Sequence, residues 1–281
     1  MKLTSLTPYS LKSVILSHGW SGLQPFYRVN EKNETLKVVV RTPQGPKVCV
    51  VKSIPNGLEV EGKLTPGEVS DLRYMFRLDD DLSEFYKVSN QEKRSWIEKN
   101  KMGRMLRSQD PFEDLIKLIL TTNCSWGFTK KMVENMCVFL GEKTQDGLLL
   151  FPTALQVSKK TEAFYRDKIR AGYRSPHLPK IANMVLKREI DLEVWRDTLE
   201  TPELRKKILS IPGAGPYVAD NLLRLMGRYD YLGVDSWVRK TLTQQWKKKK
   251  PVTDKDIEKV YQKFGTYKGL GMWCDVTKDW F

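Results

Sequence analysis

The stretch Leu204–Val238, LRKKILSIPGAGPYVADNLLRLMGRYDYLGVDSWV, constrains this chain more than any other. An apolar helix runs into Ile211-Pro212-Gly213-Ala214-Gly215, and a second helix begins at Pro216. Two glycines just before a helix leave backbone N–H groups bare at the helix's positive end, where a phosphate can be held without any side chain. A lone GxG is a weak signal. Here it joins flanking apolar helices and an acid, Asp235, twenty residues beyond Gly215.

The rest of the chain bounds the reading. Its 281 residues carry 48 Lys+Arg against 34 Asp+Glu, a net charge of +14, which suits a polyanionic partner because neutralised phosphates release counterions. Charge of this kind shifts the balance toward nucleic acid without deciding it. No run of about 18 apolar residues offers a membrane span. The amino end, MKLTSLTPYS, has no apolar signal core, which predicts an intracellular protein of the cytoplasm or nucleoid, or of the nucleus in a eukaryote. Cys49, Cys124, Cys137 and Cys274 stand far apart with no CxxC pair, so buried free thiols are expected in place of a zinc or iron–sulfur site.

An α+β fold is expected. Residues 1–90 read as an antiparallel β domain: Leu36–Arg41, Lys47–Val51 and Leu58–Val60 are strand-like, with turn signals at Pro43–Gly45 and Pro55–Gly57. Asp79–Asp81 sits at a helix start before Leu82–Val88. Residues 91–281 read as a helical body of two lobes, with the helix-hairpin-helix at 201–228. Its helices are expected at Pro111–Leu120 (capped by Asp110), Thr129–Leu140, Lys159–Arg170, Leu178–Arg188, Leu192–Leu199, Thr201–Leu209, Pro216–Met226, Ser236–Gln245 and Thr253–Phe264. Lys247–Lys250 reads as a solvated loop.

Residues 204–240 resemble the helix-hairpin-helix (HhH-GPD) superfamily of DNA glycosylases, on Leu209, Pro212, Gly213, Gly215, Ala219 and Val234-Asp235. Gly103–Leu140, Phe151-Pro152, Gly172-Tyr173-Arg174 and Phe264–Trp280 are similar to the 8-oxoguanine glycosylase branch. The amino-terminal third more weakly resembles the small β domain that branch shares with the 3-methyladenine (alkyladenine) branch. The resemblance implies that the amides around Gly213 and Gly215 grip a phosphate beside the lesion. It implies too that the carbonyls of Leu209, Ile211 and Ala214 bind a monovalent cation (Na+ or K+), with no other cofactor required. Asp235 would be the catalytic carboxylate, stabilising an oxocarbenium-like transition state and orienting the attacking water. Asp235 also suits the cap of the helix after it, and the two roles are compatible.

Departures from the pattern matter as much. Strand-nicking members carry Lys two residues after the second hairpin glycine, where this chain has Tyr217, so water is the expected nucleophile; Lys240 is the candidate for a displaced amine. Tyr217 would stack on the flipped base or line the pocket wall. Asn123 matches the residue inserted into the duplex, though it also suits a turn; Trp126 is a second wedge or a buried aromatic. Phe128 replaces the arginine that reads the orphan cytosine. Met272 and Val276 replace the base-reading glutamine and stacking phenylalanine, leaving Met272 and Trp273 as a base-facing surface or as core. An aromatic pocket of Tyr217 and Trp273 slightly favours a cationic alkylated purine through cation–π attraction. His18-Gly19-Trp20 and Gln24-Pro25-Phe26 could edge the pocket. His18 and His177 read as structural, His177 with a phosphate contact as the alternative. Lys130, Lys131, Arg174, Arg239 and Lys240 are candidate backbone-contacting cations.

The expectation is therefore a monomeric, monofunctional DNA glycosylase that flips an alkylated or oxidised base out of double-stranded DNA. A glycosylase/lyase with a displaced lysine and a non-catalytic DNA-binding protein are the rivals.

Overall fold

Short β-branched runs between tight turns build an antiparallel sheet of five strands in the order β1-β5-β4-β3-β2. The strands are β1 (Lys2–Thr4), β2 (Phe26–Arg28), β3 (Thr35–Thr42), β4 (Gly45–Ile54) and β5 (Gly57–Val60). The computed structural model describes residues 1–30, 32 and 34–281. The β3–β4 register sets Leu36 opposite Val51 and Val38 opposite Cys49, and all four are buried, so one face of the hairpin feeds the core. The three runs read from the sequence lie inside β3, β4 and β5. The edge strands β1 and β2 have three residues each, too few for a period-two pattern to register.

From Pro66 onward the chain is helical, beginning with Pro66–Phe76 and Ser83–Gln91. Asp110 caps the central helix Pro111–Thr121 by accepting from the Phe112 N–H at 2.8 Å, with Pro111 in the first turn. Every residue of that helix from Pro111 to Leu120 is buried. It packs against Pro216–Met226, which in turn packs on Thr201–Leu209. Each large apolar side chain withdrawn from water here contributes about 1.5–3 kcal/mol. The helices Thr201–Leu209, Pro216–Met226 and Ser236–Gln245 have the bounds their spacing predicts.

Other helices differ. The expected helix over 159–170 is replaced by a single turn, Glu162–Phe164, and a π-helical turn, Tyr165–Ile169, whose wider winding closes on Arg170 in the left-handed region; a short helix, Ala154–Ser158, precedes them. The helix expected from Thr129 starts at Trp126, because the Ser125 hydroxyl accepts from the Phe128 N–H and caps it. Thr253–Phe264 is helical only to Tyr261; a 3-10 segment, Gln262–Tyr267, leads into the last long helix, Lys268–Val276.

Sheet and helices form one unit. Arg104, only 1% exposed, donates to the carbonyls of Pro8, Arg77 and Asp80, and the Trp20 indole N–H donates to Asp114 Oδ1 at 2.7 Å. All four cysteines are free, three of them buried and Cys124 partly exposed. Among the described residues, no helix is long and apolar enough to cross a membrane.

Candidate active site

The hairpin between Leu209 and Pro216 turns at Gly213, whose φ of +80° is the left-handed conformation that glycine tolerates. A side-chain carbon at Gly213 would also meet the His177 ring at 2.8 Å. The His177 ring thus packs against the hairpin while staying partly exposed. Gly215 then caps Pro216–Met226 with extended backbone. Both glycines are exposed and line a cleft of about 680 Å³.

Asp235 lines the same cleft. Its Oδ1 accepts from the Val238 N–H at 2.7 Å, making it the cap of Ser236–Gln245, and it stays partly exposed. Capping engages one carboxylate oxygen and fixes the side chain at a helix start within the cleft's lining.

On the opposite wall, Asn123 projects from the turn between Pro111–Thr121 and Trp126–Leu140. It is exposed with φ +47°, a left-handed conformation to which Asn is suited, so its turn character is real. Its Nδ2 donates to the Tyr173 hydroxyl at 3.2 Å, and that hydroxyl also bonds Thr122 Oγ1 at 2.8 Å. Arg174 corrects an expectation. It is 3% exposed, and its guanidinium donates to the carbonyls of Ile119, Ala171 and Thr122 and to Thr122 Oγ1. The Ile119 carbonyl also accepts from the Thr122 N–H and hydroxyl, so Arg174 points inward and adds to the bonds that hold the Asn123 turn.

Behind the cleft lies a second cavity of about 520 Å³, and the two share Thr121, Cys124 and Tyr217 as a common wall. Burial, then the negative charge of Asp235, holds the Tyr217 phenol well above the ordinary tyrosine range, so it keeps its proton. The cavity's aromatic walls come from four separated segments: Trp20, Trp126, Trp237 and Trp273, with Trp280 at the edge. His18, Gly19 and Trp20 do edge this cavity, whereas Gln24-Pro25-Phe26 does not. Gly19 is there for space, since a side-chain carbon would come within 2.4 Å of the Trp126 ring. His18 Nε2 bonds the Leu106 carbonyl at 2.7 Å, and burial pushes its pKa down to about 3, so the imidazole is neutral.

Lys268–Val276 splits the expected pair. Trp273 lines the cavity, its indole N–H donating to the Ser17 carbonyl at 2.7 Å. Met272 has no exposed surface and belongs to the core, because adjacent residues on a helix face different sides. Among the remaining cations, Arg239 lines the cleft and is ion-paired to Asp254 at 2.8 Å. Lys130 is exposed on Trp126–Leu140, outside both cavities, and Lys131 pairs with Glu134. Lys247–Lys250 is an exposed loop. Among the described residues, no lysine lines either the cleft or the cavity, Lys240 included.

Sequence reading missed Arg224 and Asn221, which line the cavity from the helix that carries Tyr217. The available signal was an arginine inside the apolar run Leu222-Leu223-Arg224-Leu225-Met226. Arg224 lies 4.7 Å over the Trp273 ring. The face of Trp273 expected to attract a cationic base is thus already covered by the protein's own cation.

No family model matches the chain. It is 26% identical over 195 residues to a "Probable N-glycosylase/DNA lyase" of Methanothermobacter thermautotrophicus, spanning 61% of this chain and 62% of that protein. It is also 26% identical over 160 residues to the "N-glycosylase/DNA lyase" of Saccharomyces cerevisiae, spanning 52% of this chain and 42% of that one. The chain thus spans less than two thirds of these relatives' length. Among solved structures it resembles the Clostridium acetobutylicum 8-oxoguanine glycosylase/lyase bound to double-stranded DNA, with TM-score 0.77, 22% identity, and 99% and 97% of the two chains covered. The 3-methyladenine DNA glycosylase of Archaeoglobus fulgidus also has TM-score 0.77, at 15% identity over 98% and 97%.

Proposed function

Because the chain has the fold of the helix-hairpin-helix DNA glycosylases, we propose that it excises a damaged base from double-stranded DNA by hydrolysing the N-glycosidic bond, acting as a monomer. The observation that carries this reading is the adjacency of three parts: exposed hairpin glycines, a helix-mounted carboxylate in the same cleft, and a base-sized aromatic cavity that shares Thr121, Cys124 and Tyr217 with it. Hairpin amides and the positive end of Pro216–Met226 would hold a phosphate. The nucleotide swings past Tyr217, and Asn123 occupies the hole left in the stack. Asp235 stabilises positive charge developing at the sugar and takes a proton from the attacking water as the base departs with the bond's electron pair.

A monovalent cation fits the hairpin. The carbonyls of Leu209 and Ala214 receive no backbone N–H from outside the helices among the described residues, while that of Ile211 accepts from Ala214 at 3.0 Å. Such an ion would add positive charge beside the bound phosphate.

The names of the two curated relatives favour a second reading, in which an amine attacks the sugar and the strand is nicked. The absence of lysine from both cavities supports water. Duplexes carrying oxidised, alkylated and deaminated bases test both. Hydrolysis leaves alkali-labile sites and no borohydride-trapped adduct, whereas a lyase leaves a trapped adduct. Asp235→Asn is expected to cut excision by at least about a hundredfold, the scale of an electrostatic catalytic group, while lesion binding persists. Unchanged excision by this variant would refute the assignment, and no excision by wild type would favour a pure DNA-binding protein.

A further inference from the structure

Tyr217, Asn221 and Arg224 stand at helical spacing on one face of Pro216–Met226 and descend from the mouth of the cavity to its floor. Arg224 is 1% exposed. Its Nη1 donates to Asn221 Oδ1 at 2.7 Å and its Nη2 to the Leu232 carbonyl at 2.5 Å, but its Nε has no partner. The nearest acid on its own helix, Asp220, is bound to Arg205 at 2.6 Å. Gly233, at φ +63°, makes room for it: a side-chain carbon there would lie 3.0 Å from Nη2.

A buried cation that Asp220 and Asp235 reach only through space, with no ion pair to either, is costly, and a buried donor without an acceptor adds to the cost. Such a group persists where a ligand supplies what is missing. Burial pulls the Arg224 pKa down to about 10, which leaves it charged at neutral pH.

We infer that Arg224 is a specificity-determining residue: it donates to a carbonyl oxygen on the edge of the everted base, and its charge selects uncharged bases over cationic N-alkylated purines. This rests on the glycosylase reading and assigns its substrate class. The aromatic walls sandwich any flat base, and ring faces as such draw a cation. The opposing discrimination comes from the floor, where Arg224 repels a cation and already lies over the Trp273 ring. A like charge in contact with the base inside a protein discriminates by on the order of a hundredfold or more.

Single-turnover excision from matched duplexes carrying a neutral 8-oxopurine or a cationic N7-methylpurine is the test, run on wild type, Arg224→Met and Arg224→Lys, with melting temperatures alongside. Wild type is expected to release the neutral base at least tenfold faster. Arg224→Met should lose most of that release while holding or raising release of the cation, and Arg224→Lys should keep the rejection of the cation. Equal release of both bases by wild type overturns the inference, as does an equal loss on both bases in a folded Arg224→Met. If that variant fails to fold, free 8-oxoguanine and free 7,9-dimethylguanine titrated against wild-type tryptophan fluorescence decide instead. Tighter binding of the neutral base supports the role, and equal or reversed binding overturns it. Failure of wild type to release any base, together with selective free-base binding, sinks the glycosylase reading alone.

Discussion

Replacing Arg174 with methionine separates two roles that lead to different observables. In the structure its guanidinium is buried and donates to three backbone carbonyls and one hydroxyl, tying the end of Pro111–Thr121 to the turn at 171–174. Methionine keeps most of the volume and removes the donors, so several buried acceptors lose their partners. Hydrogen bonds to a charged group contribute about 1.5–3 kcal/mol each but are not additive, and the guanidinium's own desolvation offsets part of the sum. A loss of about 3–5 kcal/mol is the expected net, the size seen when one member of a buried polar network is removed. At about 2 °C per kcal/mol for a chain of this size, the melting temperature should fall by about 6–10 °C. Differential scanning calorimetry gives the shift, and binding to lesion duplex over a salt series gives the number of phosphates neutralised. A structural Arg174 leaves the slope of log K against log salt unchanged; a phosphate contact lowers it by about 1. An unchanged melting temperature with a shallower slope would refute the inward placement.

Three further outcomes follow from the same geometry. Gly19→Ala should leave the melting temperature nearly unchanged, because the half-exposed Trp126 can swing outward, but should lower excision by displacing one wall of the cavity; normal excision would show that Trp126 is not part of it. His18 is neutral in the fold with its pKa held down to about 3, so the unfolded chain binds the extra proton below about pH 6.5. Its contribution is complete above that pH and is lost at about 1.4 kcal/mol per unit as pH falls toward 3. The difference in unfolding free energy between wild type and His18→Gln across that window isolates the effect from the buried acids, and a flat difference would contradict it. Tyr217→Lys installs an amine on the wall shared by cleft and cavity, and a borohydride-trapped adduct on damaged duplex should appear where wild type gives none.

Local chemistry decided what could be read early. The hairpin helices, the glycine turn and Asp235 as a helix cap are written in consecutive residues, because capping, left-handed turns and helical period act over one or two turns. The sheet's inner strands were legible for the same reason, and its three-residue edges were not. The break in 159–170 came from a π-helical turn that no spacing rule marks. Arg174 and Met272 misled because a side chain's type says what it can do and not which way its helix or turn is rolled.

Sequence alone therefore determined the glycine turn before a helix, the acid that follows it, and the tyrosine where an amine would stand. Tertiary structure decided what the acid faces, which tryptophans meet from opposite ends of the chain, and that a lone arginine closes the cavity floor. Those facts depend on contacts between residues as far apart as Ser17 and Trp273. Only packing of the whole core brings such residues within bonding distance, and only burial turns an ordinary arginine into a selective one.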